Sequence, residues 1–383
     1  MPVGPDVITR AAYVHVPFCV HRCGYCDFTV VAGRNDLMHA YLDAIECELR
    51  RELKSPRPVS TLFIGGGTPT YLPVPALERL LSLLQAWLPL EVGAEFSVEA
   101  NPAGFDRSRM DVLQQFGVNR ISLGVQAFQQ ETLQVLERDH SPQDVARVVD
   151  QLRQAGFANA AIDLIYGVPG QSLEDWNASL AATLALNPQH VSTYGLTFEK
   201  GTTFWGRLNK GDLKRADEEL EREMYSQGMQ QLPAAGLNQY ELSNFARPGF
   251  ECRHNQTYWR AEPYFGFGPG AAGFDGRQRH LNHRSVTTWI RRVLNGESGI
   301  MESETLDADL AAREAVMLGL RQVQGIDRSH YQSRFGRDVR ELSPIAFDQF
   351  VATGWLEATD QSIRLTREGR FVADTVMSEF LVP

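Results

Sequence analysis

The alternation of strand and helix patterns over the first half of the chain is the feature that most limits its fold. Six short, largely apolar runs typical of buried strands are separated by segments with helical spacing of apolar residues. The runs are, in chain order, residues 11–16, 60–64, 95–99, 119–126, 160–165 and 190–194. Strands that alternate with helices predict a parallel sheet. The sequence therefore predicts an α/β chain built on a partial, TIM-like (β/α)6 barrel.

The loop after the first run carries three of the five cysteines, Cys19, Cys23 and Cys26. Structural zinc and iron–sulfur clusters usually take four protein ligands, so three thiolates leave one coordination position open. An open iron of a cluster can bind a small molecule. The residues alone also allow a zinc site completed by His15 or His21, or three buried thiols.

A glycine turn, Gly65-Gly66-Gly67-Thr68-Pro69-Thr70, follows the second run. Consecutive glycines let backbone groups approach a ligand closely, and the threonine adds a hydroxyl, so the turn suits a zwitterion. Polar residues also end three later strands, namely Glu99, Gln126 and Asp163. Because barrels of this kind place their active sites at the carboxyl ends of the strands, we expect these residues to gather at the barrel mouth.

The cysteine spacing, the aromatic Tyr25 before the third cysteine and the Gly-Gly-Thr-Pro turn resemble the radical S-adenosylmethionine (SAM) superfamily. The resemblance implies a 4Fe-4S cluster held by Cys19, Cys23 and Cys26, with SAM chelating the open iron through its amino and carboxylate groups. It also implies a set of further SAM contacts: Tyr13, Tyr25, Gly66, Gly67, Thr68, Glu99, Gln126, Arg138 and Asp163. The alternative for Glu99 and Asp163 is strand-end capping, and for Arg138 a solvated helix end.

A second group of chemically distinctive residues lies in residues 252–259, which precede the aromatic, glycine-rich loop 264–270. A histidine, a cysteine and several aromatic residues could form a flat apolar slot with an axial ligand, which is what a porphyrin needs. The alternative is that His254 makes structural hydrogen bonds while Tyr258 and Trp259 pack on the barrel.

The His-Asn-x-x-Tyr-Trp element and the Phe-Gly-Phe-Gly-Pro-Gly loop are similar to those of HemW-type heme chaperones, and the resemblance extends from about Tyr13 to the C-terminus. It implies that heme is bound and then delivered to respiratory-chain heme proteins. The implied heme residues are His254, Asn255, Tyr258, Trp259 and, as a further ligand candidate, Cys252.

This family is related to the oxygen-independent coproporphyrinogen III dehydrogenases of the HemN type, which have a longer N-terminal extension and a further cysteine where Phe28 stands. A dehydrogenase of that type and a radical SAM methyltransferase of the same ancestry stay open as alternatives. The chain departs from its relatives at Ala127, where serine is usual, and at Ala272, where histidine is common. The second departure leaves the axial heme ligand open.

Composition indicates a cytoplasmic protein. The first ten residues lack the pattern of a secretory signal, no apolar run is long enough to span a membrane, and the clustered cysteines suit a reducing compartment. The net charge of −10 argues against a nucleic-acid partner. Peripheral membrane association and a homodimer stay open.

The predicted organisation is an N-terminal tail (1–10), a radical SAM partial barrel (11–245), a heme-binding and connecting segment (246–302) and a small winged-helix-like domain (303–383). In the last segment, helical patterns precede a hairpin and a helix over 368–380. Its nine arginines, absent lysines and thirteen acidic residues make DNA binding a poor fit. Cys47, in a helix predicted over 36–53, is expected to be buried.

Overall fold

A nine-stranded sheet runs through the centre of the molecule in the computed structural model, which describes residues 8–381. The described residues form seventeen strands in all, and nine of them make up this sheet. The strands are Ala11–Val16 (β1), Phe18–Cys19 (β2), Val31–Ala32 (β3), Val59–Gly66 (β4), Leu90–Ala100 (β5), Arg120–Gln126 (β6), Asn159–Tyr166 (β7), His190–Gly195 (β8), Asn238–Gln239 (β9), Asn244–Ala246 (β10), Phe265–Phe267 (β11), Ala272–Phe274 (β12), Gln278–Asn282 (β13), Ile300–Thr305 (β14), Ile326–Asp327 (β15), Leu356–Ala358 (β16) and Ser362–Leu365 (β17).

Helices cover the outside of the sheet and form most of the C-terminal part. They are Met38–Leu53 (α1), Val74–Trp87 (α2), Arg107–Gln115 (α3), Gln130–Val135 (α4), Pro142–Gln154 (α5), Leu173–Ala185 (α6), Thr203–Lys210 (α7), Glu218–Ala234 (α8), Arg253–Trp259 (α9), Val286–Leu294 (α10), Ala308–Gly319 (α11), Arg328–Phe335 (α12), Pro344–Ala352 (α13), Arg367–Phe371 (α14) and Ala373–Glu379 (α15).

The strand order of the central sheet is β11-β1-β4-β5-β6-β7-β8-β10-β9. The six strands from β1 to β8 in this order pair in parallel, and each corresponds to one of the six predicted runs. A parallel β11 extends one edge, and the antiparallel β10 extends the other. Side chains from all six parallel strands line one cavity, so the sheet is curled into the predicted partial barrel.

The apolar face of α1 explains how a helix is fixed to this sheet. Tyr41, Ile45 and Leu49 recur at four-residue spacing and are fully buried. Cys47 lies two positions from Ile45 and Leu49, which places it on the opposite side of the helix. It is exposed, so the prediction of a buried Cys47 is wrong.

The segment between barrel and C-terminal part is anchored on the buried Glu48 of α1. Its carboxylate accepts hydrogen bonds from the Gly268 backbone at 2.7 Å, from Asn282 Nδ2 at 2.8 Å and from Trp289 Nε1 at 3.2 Å. Three donors from distant parts of the chain thus meet on one side chain. They hold the aromatic, glycine-rich loop and the antiparallel sheet β12-β13-β14 against the barrel.

The C-terminal part has its own apolar core around Val316, Leu320, Phe350 and Phe380. Helices precede a hairpin of β16 and β17, as predicted. The predicted helix over 368–380 is instead two helices, because the backbone of Val372 (φ −121°, ψ 26°) leaves the helical conformation. The four proposed domain boundaries stay predictions.

Two expectations concern the ends of the chain and its longest helices. Residues 1–7 of the predicted tail, and residues 382 and 383, lie outside the described residues. Within residues 8–381, no helix is both long and apolar enough to cross a membrane.

Candidate functional site

Cys19 ends β2, and Cys23 and Cys26 lie on the loop that follows it; all three thiols are free and partly exposed. A turn hydrogen bond of 3.0 Å from the Cys26 backbone to the Cys23 carbonyl shapes the loop. Burial raises the pKa of the Cys19 thiol to about 12 and also raises that of Cys26. Without a metal these two thiols are therefore protonated at neutral pH, and iron must displace their protons on binding.

The two histidines considered as zinc ligands have other partners. His15 Nε2 donates to the Thr29 carbonyl at 2.7 Å, and its Nδ1 accepts from the Tyr13 hydroxyl at 3.1 Å. His21 Nε2 donates to Glu137 at 3.2 Å. In the described part of the chain, no group of three or more His, Cys, Asp or Glu side chains is arranged to hold a single metal ion. The zinc alternative thus finds no support in these contacts.

The glycine turn lies directly against the cysteine loop. The Gly67 backbone donates to the Val16 carbonyl at 2.8 Å, and Thr68 Oγ1 lies 3.6 Å from Cys19 Sγ. A Cβ added to Gly67 would come within 3.0 Å of that sulfur and 2.7 Å of the Phe18 carbonyl oxygen. Glycine at this position therefore permits the turn to pack closely against the cysteine loop. The predicted approach of the turn to a ligand stays a prediction.

Gly66 connects the same turn to the end of a neighbouring strand. It has a φ of +106°, and its backbone donates to Glu99 Oε2 at 2.9 Å. Burial raises the pKa of Glu99 to about 7, and the nearby carboxyl of Asp163 acts in the same direction. This carboxyl group is therefore positioned beside the turn and titrates close to neutral pH.

Arg138 reaches the other side of the cysteine loop. Its Nη1 lies 3.7 Å from Cys23 Sγ, and its Nη2 donates to the Gly124 carbonyl at 2.8 Å. Tyr25 packs edge-on against Phe204, with ring centroids 6.0 Å apart. Gln126 ends β6 with a φ of +67°, a conformation that is uncommon outside glycine and frequent at functional sites.

Asp163 is held by hydroxyl groups at the centre of the barrel. Ser122 Oγ donates to its carboxylate at 3.0 Å, and Ser192 is a second hydrogen-bond partner. Burial raises the pKa of Asp163 despite these bonds. Both bonds come from strands on either side, so Asp163 also ties the barrel interior together.

A cavity of about 510 Å³ joins this region to the second group of predicted residues. It brings together Tyr13, Glu99 and Asp163 from the SAM prediction and four residues from the heme prediction. The latter are His254, Asn255, Tyr258 and Trp259. Its volume lies within the roughly 300–1,000 Å³ that is usual for cofactor pockets. The cavity thus joins part of each predicted set. The remaining predicted SAM residues and the three cysteines are not among the residues that line it: Tyr25, Gly66, Gly67, Thr68, Gln126, Arg138, Cys19, Cys23 and Cys26.

Helix α9 presents the second group to the cavity, and Glu95 fixes its start. The carboxylate of Glu95 accepts from the backbone of Arg253 at 2.9 Å and of His254 at 3.1 Å. His254 Nδ1 is hydrogen-bonded to Thr61 Oγ1 at 3.0 Å, and Nε2 to the Tyr258 hydroxyl at 2.7 Å. Burial lowers the pKa of His254 to about 3, so the ring is neutral.

Cys252 and Ala272 bear on the choice of axial ligand. Cys252 is fully buried, its sulfur lies 3.5 Å from Glu95 Oε1, and it does not line the described cavity. Burial raises its pKa to about 12. Ala272, where the resemblance led us to expect a histidine, does line the cavity. An alanine here offers no ligand atom to the cavity.

Sequence reasoning missed several cavity residues. They come from strand interiors and from aromatic positions: Phe63, Arg120, Ser122, Ser192, Tyr194 and Tyr264. A spacing of two residues places side chains on the same face of a strand. This spacing separates Arg120 from Ser122 on β6 and Ser192 from Tyr194 on β8. Polar residues at this spacing within an apolar strand were the signal that could have identified them.

Comparisons with known proteins give a consistent result. Residues 13–182 match the model of the radical SAM superfamily, and residues 306–372 match that of the HemN C-terminal domain. The heme chaperone HemW of Bacillus subtilis is 35% identical over 97% of this chain and 99% of its own length. The heme chaperone HemW of Escherichia coli is also 35% identical, over 96% and 97% respectively.

A solved structure agrees on the fold. Coproporphyrinogen III oxidase (HemN) of Escherichia coli, described as a radical SAM enzyme, superposes with a TM-score of 0.86. The match covers 99% of this chain and 91% of that one at 24% sequence identity. At this level of identity the likeness concerns the architecture alone.

Proposed function

Because this chain belongs to the HemW family of radical SAM proteins, we propose that it is a heme chaperone that binds a 4Fe-4S cluster, SAM and heme. Its cargo is delivered to respiratory-chain heme proteins. The observation that carries the proposal is the shared cavity, whose lining includes Tyr13, Glu99 and Asp163 as well as Tyr258 and Trp259.

The cluster and SAM sites are assigned to residues whose chemistry fits them. Cys19, Cys23 and Cys26 are the cluster ligands, since free thiols on one loop lie beside a turn too tight for side chains. The cluster supplies one-electron redox chemistry when bound. The SAM residues are Tyr13, Tyr25, Gly66, Gly67, Thr68, Glu99, Gln126, Arg138 and Asp163. Glu99 and Asp163 provide acceptors for an ammonium group, and Arg138 provides a cation for a carboxylate.

Heme is placed against α9, with Tyr258 and Trp259 as aromatic walls and Asn255 at their side. His254 can bind heme iron only by giving up its hydrogen bond to Thr61 or to Tyr258, since both ring nitrogens are engaged. Cys252 remains a second ligand candidate, and it would have to leave Glu95. Ligation at either residue therefore requires a local rearrangement.

The proposed setting is the cytoplasm, with transient attachment to a membrane where heme is delivered. A net charge of −10 supports a protein or heme partner rather than a nucleic acid. A homodimer is part of the proposal only as a state to be measured by sedimentation.

Heme titration of the cluster-loaded protein tests this function. Under anaerobic, reducing conditions we expect each chain to bind one heme. Absorption spectroscopy monitors the titration. Tyr258→Phe and His254→Gln should each weaken binding about tenfold, because they remove the hydrogen bond that positions both rings. His39→Gln, at a residue whose side chain is 85% exposed on α1, is the matched control and should bind as the wild type does.

Three results would contradict the proposal. A folded, cluster-loaded protein that binds no heme is not a heme carrier. Conversion of coproporphyrinogen III to protoporphyrinogen under anaerobic turnover would identify an enzyme instead, and release of S-adenosylhomocysteine would indicate methyl transfer.

A further inference from the structure

Arg120, the first residue of β6, is a buried cation that faces the cavity. Its exposed fraction is 2%, yet it belongs to the cavity lining. Within residues 8–381, the guanidinium of Arg120 makes no hydrogen bond and no ion pair within 4.0 Å, and its buried Nε has no partner. Buried arginines are almost always paired, because removing a charge from water is costly.

Glu95, Glu99 and Asp163 interact electrostatically with Arg120 and help to keep it charged, but each is hydrogen-bonded to other donors. Glu99 accepts from the Gly66 backbone. Glu95 accepts from the first two backbone N–H groups of α9 and from Cys252. Asp163 accepts from the hydroxyls of Ser122 and Ser192. The guanidinium is thus held charged by carboxylates that do not hydrogen-bond to it, and its N–H groups remain available for a ligand.

Arg120 shares the cavity with Glu99 and Asp163 of the SAM prediction but lies apart from Gln126 and from the cysteine loop. It begins β6, whereas Gln126 ends the same strand, and six residue steps along a strand span roughly 20 Å. Arg138, the cation assigned to SAM, contacts Cys23 at the far side of the cysteine loop. The two arginines thus serve different regions of the barrel.

We propose that Arg120 binds a carboxylate of the cargo, so that a propionate side chain of heme enters the barrel interior first. This inference rests on the proposed function and deepens it. Phe63, Tyr258 and Trp259 line the same cavity and supply apolar contacts for the macrocycle. A guanidinium pairs with a carboxylate through two parallel hydrogen bonds, which also fixes the orientation of the ligand.

The test compares heme with heme dimethyl ester, whose propionates carry no charge. The affinity of wild type for heme should exceed its affinity for the ester by about tenfold or more. Arg120→Gln should abolish this preference by weakening heme alone, and Arg120→Lys should retain part of it. Arg284→Gln is the matched control, because Arg284 also lines the cavity but is 59% exposed and lies 3.7 Å from Asp27.

The remaining outcomes show whether the inference, the proposed function or both are wrong. If folded Arg120→Gln keeps the preference, or if wild type binds heme and the ester equally, the inference is wrong and the chaperone proposal stands. If Arg120→Gln weakens SAM rather than heme, the cation serves SAM. If Arg120→Gln does not fold, the inference is tested by the preference of wild type for heme over the ester and by the partial loss of this preference in Arg120→Lys. If wild type binds neither porphyrin, both proposals fail.

Discussion

Gly66 shows at the scale of one residue how tightly the cysteine loop and the glycine turn are fitted. A Cβ at this position would lie 2.4 Å from the His15 ring, and its φ of +106° already disfavours other residues. We expect Gly66→Ala to lower the free energy of unfolding by about 3 kcal/mol, from backbone strain plus overpacking. Urea denaturation of the metal-free protein measures this loss.

Gly33→Ala is the control that isolates the steric part. Gly33 also has a positive φ, +69°, but an added Cβ there meets nothing within 4 Å. Its replacement should cost about 1 kcal/mol, the backbone contribution alone. Equal losses for the two variants would show that His15 yields to the new methyl group, and that the turn is less constrained than its geometry implies.

Single residues also show which features a sequence reveals and which it conceals. The three cysteines and the glycine turn were identifiable because their chemistry is carried by short spacings along the chain. The prediction that Cys47 is buried was wrong because the general tendency of cysteine to be buried was given more weight than its position opposite the apolar stripe of α1. Arg120 was missed because its spacing with Ser122 marks one face of the strand but does not show whether that face is exposed or enclosed.

At the scale of the element, α9 depends on a residue that lies far away in sequence. Glu95 of β5 satisfies two free N–H groups at the helix start, and its Oε1 also receives Ser97 Oγ at 3.3 Å. Glu95→Gln leaves one acceptor oxygen for these donors. We expect a loss of about 1–3 kcal/mol in stability and weaker heme binding, because α9 carries His254 and Tyr258.

Urea denaturation and heme titration of the same Glu95→Gln sample measure the two effects together. Glu251→Gln is the control, at a residue on the loop that leads into α9. Glu251 accepts one hydrogen bond from the Gly249 backbone at 3.0 Å, and this bond is exposed. If Glu95→Gln matched this control in both measurements, Glu95 would not be the residue that holds α9 in place.

The strands of the barrel were predictable, whereas the placement of α9 was not. An apolar run bounded by turn residues identifies a strand locally, and the parallel order follows from the helices between runs. The partners of α9 come from β4 and β5, more than 150 residues earlier in the chain. No periodicity near His254 shows that both of its ring nitrogens are occupied.

At the scale of the whole molecule, the C-terminal part is joined to the barrel through residues 240–242. The Leu242 backbone donates to the Arg321 carbonyl, and the Val323 backbone to the Tyr240 carbonyl, both at 3.0 Å. Glu241 is completely buried, and Arg321 Nη2 lies 3.4 Å from its carboxylate. The joint therefore contains an ion pair with one partner fully removed from water.

The same arginine links this joint to the cavity. The guanidinium carbon of Arg321 lies 4.4 Å from the ring centroid of Trp259, a cavity residue. A cation over an indole face is attracted to it and restricts its motion. The C-terminal part thus contributes to holding one wall of the proposed heme site.

Arg321→Gln should therefore have two effects. Removing one partner of a buried pair leaves Glu241 uncompensated, so we expect a loss of about 3 kcal/mol in stability at pH 8 and faster proteolysis within residues 306–372. Heme affinity should fall as Trp259 loses its cation. The double variant Glu241→Gln/Arg321→Gln should recover part of the stability, because no charge is then buried alone, but none of the heme affinity. Additive stability losses would instead mean that Glu241 is neutral in the folded protein, and unchanged heme affinity would separate the C-terminal part from the cavity.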